Sequence, residues 1–276
     1  MRGLFLLLFL SLPAFATLEN PYLFEVRKGS RVSWMLGTQH VGINLSEVID
    51  YVEPRMRSSR VTFLEFVPDM DRLKIWATDP ARALATSDQF DWSKGSALSE
   101  ETKELLKRNF EIPDVLLEKL TSESCRAVAT FDMNRYPGLS LDYQMSLLAR
   151  VLGVEQKALD TTELRALAEE ADLAGRFKTI WNCNMDFMAQ QKSSAKDLIP
   201  RLVAKYRAGT GRPGEDLPME GVALRNLAWL EVLAPEMEKG GVFVGVGVGH
   251  FHGPNGLIKL LRARGFNVTR FPHPED

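Results

Sequence analysis

Two strand-like segments, one near each end of the chain, run directly into a Gly-x-x-His sequence. Near the N-terminus, the segment 31–36 is followed by one such sequence, residues 37–40. Near the C-terminus, the apolar segment 241–248 overlaps the other, residues 247–250. Continuous apolar runs of this length are typical of strands buried in a parallel sheet, and α/β sheets place ligand groups at the carboxyl ends of such strands. The pattern therefore predicts that His40 and His250 converge at one edge of a sheet.

Each Gly-x-x-His sequence forms the loop of a predicted β-α-β unit. In both units a β-rich run leads into the loop, a helix follows, and a further β-rich run ends the unit. The predicted segments are 22–26, 31–39, 44–52 and 60–67 in the first unit, and 241–248, 254–264 and 266–271 in the second. The sequence thus predicts an α/β fold with a central mixed β-sheet and two pseudo-symmetric β-α-β Gly-x-x-His halves.

A long helical region separates the two units. Between about 71 and 239, apolar residues recur at three- and four-residue spacing, which is typical of amphipathic helices. The strongest segments are 102–110, 141–152, 162–174 and 195–206. Gly- and Pro-containing breaks at 134–138 and 209–216 have the composition of surface loops rather than of linkers between domains. We therefore expect a single α/β domain, 17–276, with a large helical insertion at about 71–239.

The N-terminus has the composition of a secretory signal peptide. Residues 1–16 contain one basic residue, a short apolar stretch and a final Ala14-Phe15-Ala16 sequence. The apolar stretch is shorter than the roughly 20 residues that a membrane-spanning helix needs, and it contains Pro13. We expect cleavage after Ala16 and an exported protein, periplasmic or secreted, with no stable membrane span after cleavage.

Charge and cysteine content narrow the possible partners. The formal net charge is −2 and there is no dense Lys/Arg run, which excludes a nucleic-acid partner that is bound through its phosphates. Only Cys125 and Cys183 carry thiols. In an exported protein they can form a disulfide or remain two free thiols, and a thiolate metal site is not supported.

Glu65 is the most unusual side chain near the predicted loops. It interrupts the apolar run 63–67, where an unpaired buried carboxylate would cost several kcal/mol. Two imidazoles and a carboxylate form a common ligand set for divalent ions, which lower the pKa of a bound water and polarise carbonyl groups. The sequence therefore predicts His40, Glu65 and His250 as a metal site. The alternatives are that the histidines are ordinary hydrogen-bonded loop residues and that Glu65 projects into solvent.

Further polar residues lie in the predicted helices. Arg225 and Asn226 lie in the helical segment 222–233 before the last apolar strand. They can be a salt-bridged surface pair, or Arg225 can bind a substrate carboxylate or orient Glu65. Asp142 and Asp160 occupy positions typical of helix N-caps, and we expect them to be caps rather than catalytic acids.

Together these residues resemble the TraB/GumN family, which includes the TIKI metalloproteases. The resemblance covers essentially the whole chain after the signal peptide, and it rests on residues 37–40, 64–65, 141–142, 224–226 and 247–257, in that order. It implies an α/β core with two Gly-x-x-His halves and, for TIKI-like members, a protease that depends on Mn- or Co-like ions. Carried over by position, His40 and His250 match the paired histidines and Glu65 the acidic residue, while Arg225 and Asn226 match a polar pair.

The predicted function is that of an exported divalent-metal-dependent hydrolase, most specifically a peptidase. Mn, Co or Zn would be held by His40, Glu65 and His250, or these three would divide ligand and base roles among them, and the substrate would be a peptide or protein. Arg225 and Asn226 are predicted as further catalytic residues, and Arg225 would stabilise developing oxyanion charge or anchor the substrate. Two alternatives stay open. The first is a haem- or metal-binding protein without hydrolytic activity, and the second is a catalytically silent interaction protein of the same fold.

Overall fold

The computed structural model describes most of the predicted elements. The described residues are 17–68, 78–86, 92–93, 95–124, 127–128, 131, 140–174, 185, 189, 195–210, 212 and 220–272. The predicted signal peptide, the break at 134–138 and both Cys125 and Cys183 lie outside these residues. Cleavage of the signal peptide therefore stays a prediction, and the pairing of the two thiols stays open.

A mixed six-stranded sheet forms the centre of the fold. Its strand order is β4-β3-β5-β2-β1-β6. The strands are β1 Leu23–Lys28, β2 Arg31–Thr38, β3 Val61–Leu64, β4 Glu155–Ala158, β5 Val242–Gly247 and β6 Asn267–Phe271. β4, β3, β5 and β2 are parallel neighbours, whereas β1 pairs antiparallel with both β2 and β6. The predicted α/β class with a mixed sheet is confirmed.

The position of β5 inside the sheet explains why its sequence is continuously apolar. All six of its residues are buried, because β3 and β2 flank it and helices cover both of its faces. Gly245 in this strand has no side chain, and its Cβ position would overlap the methyl group of Met145. The glycine therefore lets a covering helix approach the sheet closely.

The helices follow the amphipathic segments of the sequence. Their bounds are α1 Ile49–Arg57, α2 Pro80–Ala85, α3 Glu100–Phe110, α4 Asp114–Leu117, α5 Leu141–Leu152, α6 Thr162–Ala174, α7 Ala195–Ala208, α8 Glu220–Lys239 and α9 Leu257–Ala263. In α5, the Ser140 hydroxyl caps the first turn and Gly153, with φ 71°, ends the helix in a left-handed conformation. None of the helices in the described ranges is both long and apolar enough to cross a membrane.

The two β-α-β units leave the centre of the sheet in opposite directions. From β2 the chain crosses β5 to reach β3, and from β5 it crosses β2 and β1 to reach β6. Because such crossovers are right-handed, opposite directions place the two helices on opposite faces of the sheet. α1 accordingly packs with α5, and α9 packs with α8. The second unit crosses one strand more than the first, so the pseudo-symmetry of the halves stays a prediction.

The insertion contributes more than helices. β4 lies within it and extends the sheet beyond β3. Its four residues, Glu-Gln-Lys-Ala, are mostly exposed and polar, and they carry no apolar alternation that would predict a strand. Residues from α2, α3 and α4 form a second apolar cluster apart from the core around the sheet, with Leu84, Leu106 and Leu116 at its centre.

Helix α7 of the insertion holds the chain segment that leads to His40. The Tyr206 hydroxyl donates to the carbonyl of Gly37 at 2.6 Å, and burial raises the pKa of that hydroxyl. One residue later, the Arg207 guanidinium donates to both carboxylate oxygens of Glu47 at 2.7 and 3.0 Å. The insertion therefore helps to position the loop after β2.

Candidate functional site

The structure brings the three predicted ligands to the carboxyl edge of the sheet. Thr38 pairs with Gly247 at the ends of β2 and β5, so the two Gly-x-x-His loops leave the sheet side by side. His40 follows β2, His250 ends a 3-10 turn after β5, and Glu65 directly follows β3 on the other side of β5. His250 and Glu65 are buried, whereas 48% of the His40 side chain is exposed.

Gly247 lies between the three side chains. A Cβ at this position would be 3.0 Å from Glu65 Oε1 and 3.1 Å from His40 Nε2. His250 Nε2 lies 3.7 Å from the same carboxylate oxygen, and the Gly247 N–H donates to it at 2.5 Å. The missing side chain thus leaves open a small space that His40 Nε2 and Glu65 Oε1 border, and His250 Nε2 lies close to the same carboxylate oxygen.

Asp142 orients His40. One oxygen of its buried carboxylate accepts from the Thr38 hydroxyl at 2.6 Å, and the other lies 2.8 Å from His40 Nδ1. The negative charge of Asp142 raises the pKa of His40 to about 9. With Nδ1 bound to a carboxylate, the Nε2 atom is the one that faces Glu65, which is the arrangement commonly found around metal-binding histidines.

Asn226 orients His250 in a similar way. Its side-chain oxygen lies 2.7 Å from His250 Nδ1, and its NH₂ group donates to the carbonyls of His250 and Asn255 at 3.0 and 2.8 Å. Burial lowers the pKa of His250 to about 4, so the imidazole is neutral near pH 7. Because the amide oxygen accepts the Nδ1 proton, Nε2 carries the lone pair of the imidazole, and it lies 3.7 Å from Glu65 Oε1.

The Arg225 guanidinium binds the carboxylates of Glu65 and Asp160. Its Nη2 donates to Glu65 Oε2 at 2.6 Å and to Asp160 at 2.7 Å, and its Nε donates to Asp160 at 3.0 Å. Its Nη1 lies 3.3 Å from His250 Nε2. Only 18% of the side chain is exposed. Among the functional roles that the sequence leaves open for Arg225, which are substrate binding, stabilisation of an oxyanion and orientation of Glu65, these contacts favour the last.

The prediction that Asp142 and Asp160 are helix N-caps is wrong. Ser140 caps α5, and the Thr161 hydroxyl accepts from the Leu164 N–H at the start of α6. Asp160 instead binds Arg225, and it also accepts from Trp229 Nε1 at 3.0 Å. The signal that identified Glu65 was its position inside an apolar run, whereas Asp160 follows the polar strand β4 and carries no such signal.

A comparison with protein families covers all of these residues. The model of the TraB/PrgY/gumN family matches residues 22–270. The chain belongs to this family. The match confirms the resemblance drawn from the Gly-x-x-His sequences and covers the described strands of this TraB/PrgY/gumN protein except the last residue of β6. No curated protein and no solved structure matches the chain.

The site of this TraB/PrgY/gumN protein is rich in buried charges. Burial by itself raises the pKa of Glu65, but His250, which is protonated only in acid, the positive charges of His40 and Arg225, and the Gly247 N–H outweigh it and lower that pKa. Glu65 is therefore ionised. Glu65, Asp142 and Asp160 are all buried carboxylates, and their partners in the described residues are the Arg225 guanidinium, the more exposed Arg165, and His40, whose raised pKa makes it cationic near pH 7. Each buried carboxylate therefore has a cationic partner.

The donor atoms fit a divalent ion. Both histidines present Nε2 with Nδ1 bound to an oxygen atom, Glu65 supplies an ionised carboxylate, and Gly247 leaves a space open beside Glu65 and His40. Because the raised pKa of His40 makes its imidazole protonated near pH 7, an ion would have to displace the Nε2 proton. In the described part of the chain, no group of three or more His, Cys, Asp or Glu side chains is already close enough to hold an ion. An ion on His250 Nε2 would take the place of the Arg225 Nη1 contact.

Proposed function

We propose that the protein is an exported divalent-metal-dependent hydrolase, most specifically a peptidase, whose ion is held by His40, Glu65 and His250. One observation carries this proposal. Both imidazoles have Nδ1 bound to a fixed oxygen, of Asp142 and of Asn226, so that His40 Nε2 borders the open space beside Glu65 Oε1 and His250 Nε2 lies 3.7 Å from the same oxygen. Mn, Co and Zn all accept such nitrogen and oxygen ligands.

Each protein group near the site has a role that follows from its contacts. A bound ion supplies a Lewis acid and lowers the pKa of water. Glu65 either holds the ion or accepts a proton, and its contacts to Arg225 and the Gly247 N–H keep its carboxylate in place for both roles. Arg225 and Asn226 act as positioning residues, the first on Glu65 and the second on His250.

Two features support a peptide or protein substrate. The half-exposed His40 makes the site accessible from the edge of the sheet, where an extended chain can reach it. The sequence also resembles the TIKI metalloproteases at the same residues. Export through residues 1–16 belongs to the same proposal, and N-terminal sequencing of the secreted or periplasmic protein would reveal Thr17 as the first residue.

The proposal is tested by metal analysis followed by peptide cleavage. The chain from Thr17 is purified as wild type, as a His40→Ala/His250→Ala variant, and as a His252→Ala control that removes a neighbouring imidazole outside the site. We expect about one ion per chain in the wild type and in the control, and none in the double variant. Cleavage of a peptide library with added Mn, Co or Zn is expected to follow the metal content.

The alternative functions predict different outcomes. Metal without cleavage would support a metal-binding protein, and a Soret band with added haem that the double variant lacks would support a haem-binding protein. Equal absence of metal in wild type and double variant would contradict the proposal and favour a catalytically silent interaction protein.

Gly247→Ala is expected to weaken ion binding without unfolding the protein. Its backbone angles, φ −50° and ψ 133°, are allowed for alanine, but the new methyl group would lie 3.0 Å from Glu65 Oε1 and 3.1 Å from His40 Nε2. We expect the Kd for Mn²⁺ to rise at least about ten-fold by titration calorimetry, the scale on which changes around metal ligands act. Gly249→Ala is the matched control, because its Cβ would meet no atom within 4 Å. Equal affinities in the two variants would contradict the assigned position of the ion.

A further inference from the structure

A partly exposed rim of Phe66, Tyr143 and Arg165 lies beside the site. Phe66 directly follows Glu65, and Tyr143 directly follows Asp142. The Phe66 and Tyr143 rings meet edge to face, with their centroids 5.2 Å apart, and the Arg165 guanidinium lies 5.9 Å from the Phe66 centroid. The two rings and the cation therefore form one continuous surface next to the proposed ligands.

Arg165 has unused hydrogen-bond donors. Its closest carboxylate is Asp160, at 3.7 Å from Nε, which is an ion pair but not a hydrogen bond. Asp160 already accepts from Arg225 through both of its oxygens, and it also accepts from Trp229 Nε1. Within the described ranges no acceptor lies within hydrogen-bonding distance of the Arg165 guanidinium, and 41% of the side chain is exposed. Its planar fork of N–H groups is therefore available to a ligand.

The sequence left several roles open for Arg225, among them the orientation of Glu65 and the binding of a substrate carboxylate. Arg165 is better placed than Arg225 for the second of these. Arg225 has Glu65, Asp160 and His250 around its guanidinium, and it has little room for a substrate carboxylate. Arg165 is on the solvent side of Asp160 and still close to Glu65, because the Asp160 N–H donates to the Glu65 carbonyl at 2.9 Å. A carboxylate on Arg165 would then lie one side chain away from the proposed ion.

We propose that Arg165 binds a carboxylate group of the substrate, and that the Phe66 and Tyr143 rings contact the apolar group next to it. The substrate class is then a peptide with a carboxylate close to the scissile bond, supplied by its C-terminus or by an Asp or Glu side chain. This substrate class rests on the proposed hydrolase function. The binding of a carboxylate at the rim does not require turnover, and it is testable by itself.

The binding test uses a matched pair of small probes, N-acetyl-phenylalanine and its amide. They are titrated into the chain from Thr17 with EDTA present, so that no ion can bind the carboxylate, and affinities are read from NMR shifts. We expect the acid to bind about five-fold more tightly than the amide in the wild type. Arg165→Met is expected to abolish this preference, and Arg165→Lys to retain part of it because the charge stays but the fork is lost. Arg108→Met on α3 removes the same charge from an exposed position and is expected to keep the full preference.

The results separate this proposal from the hydrolase proposal. No acid preference in the wild type, or the same preference in Arg165→Met, would overturn the rim proposal even if the protein cleaves peptides. If cleavage is found, paired peptides with a free or amidated C-terminus, and with Glu or Gln beside the cleaved bond, identify the source of the carboxylate. Arg165→Met is then expected to raise KM for the preferred peptide about five-fold, with a smaller change in kcat. An unchanged KM would contradict the substrate class.

Discussion

Glu65→Gln is expected to reduce kcat/KM for peptide hydrolysis by at least about 10²-fold. Glutamine keeps the size of the side chain but loses the negative charge that faces His40, His250 and Arg225. Its amide can accept from only one of the two donors that now bind the carboxylate, the Gly247 N–H and the Arg225 guanidinium. Steady-state kinetics with saturating metal measures the loss.

Metal content of the same variant assigns the role of Glu65. An inactive protein that keeps its ion would make Glu65 the base, whereas loss of both would make it a ligand. Glu236→Gln is the control, since Glu236 is also a carboxylate bound to an arginine, Arg60, and lies near the end of α8, beside the residue that precedes β3 rather than beside the site. Hydrolysis by Glu65→Gln at the rate of the Glu236→Gln control would refute the catalytic assignment.

Arg225→Met is expected to lower the free energy of unfolding by about 3–5 kcal/mol. Methionine has a similar length but leaves Glu65 and Asp160 without their shared guanidinium, and both carboxylates are buried. Urea denaturation of the metal-free protein, followed by circular dichroism, measures the change. Most of the loss comes from the buried charges left without a partner, rather than from the missing side chain itself.

Two further variants test this explanation. Arg264→Met removes an arginine that pairs with Glu231 at the surface, where both side chains are largely exposed, and is expected to cost about 0–1 kcal/mol. Adding Glu65→Gln to Arg225→Met removes one of the two unpaired charges and should recover part of the stability. A loss no larger than that of Arg264→Met would show that Arg225 is not needed to neutralise the site.

The elements that carry the site were predictable because their signals are local. β5 is buried on both faces between parallel neighbours, so its residues form the continuous apolar run that the sequence displays. The helix α5 begins and ends where its amphipathic pattern does, at Leu141 and Leu152. His40 and His250 were candidates because each stands just beyond the end of such a run, and Glu65 was a candidate because it interrupts one. β4 was missed because its short, exposed sequence carries no pattern.

The sequence by itself determined every described strand except β4, the two Gly-x-x-His loops and the side chains most suited to hold an ion. Only the tertiary structure decided how these side chains are held. Asp142 and His40 are 102 residues apart in the sequence, and Asp160 and Arg225 are 65 residues apart. Each pair is brought together by tertiary packing, so no local sequence pattern indicates it. In the sequence, a carboxylate at the start of a helix is typical of a cap. The fold instead buries Asp142 and Asp160 beside an imidazole and a guanidinium, because a buried charge is tolerated only next to a partner.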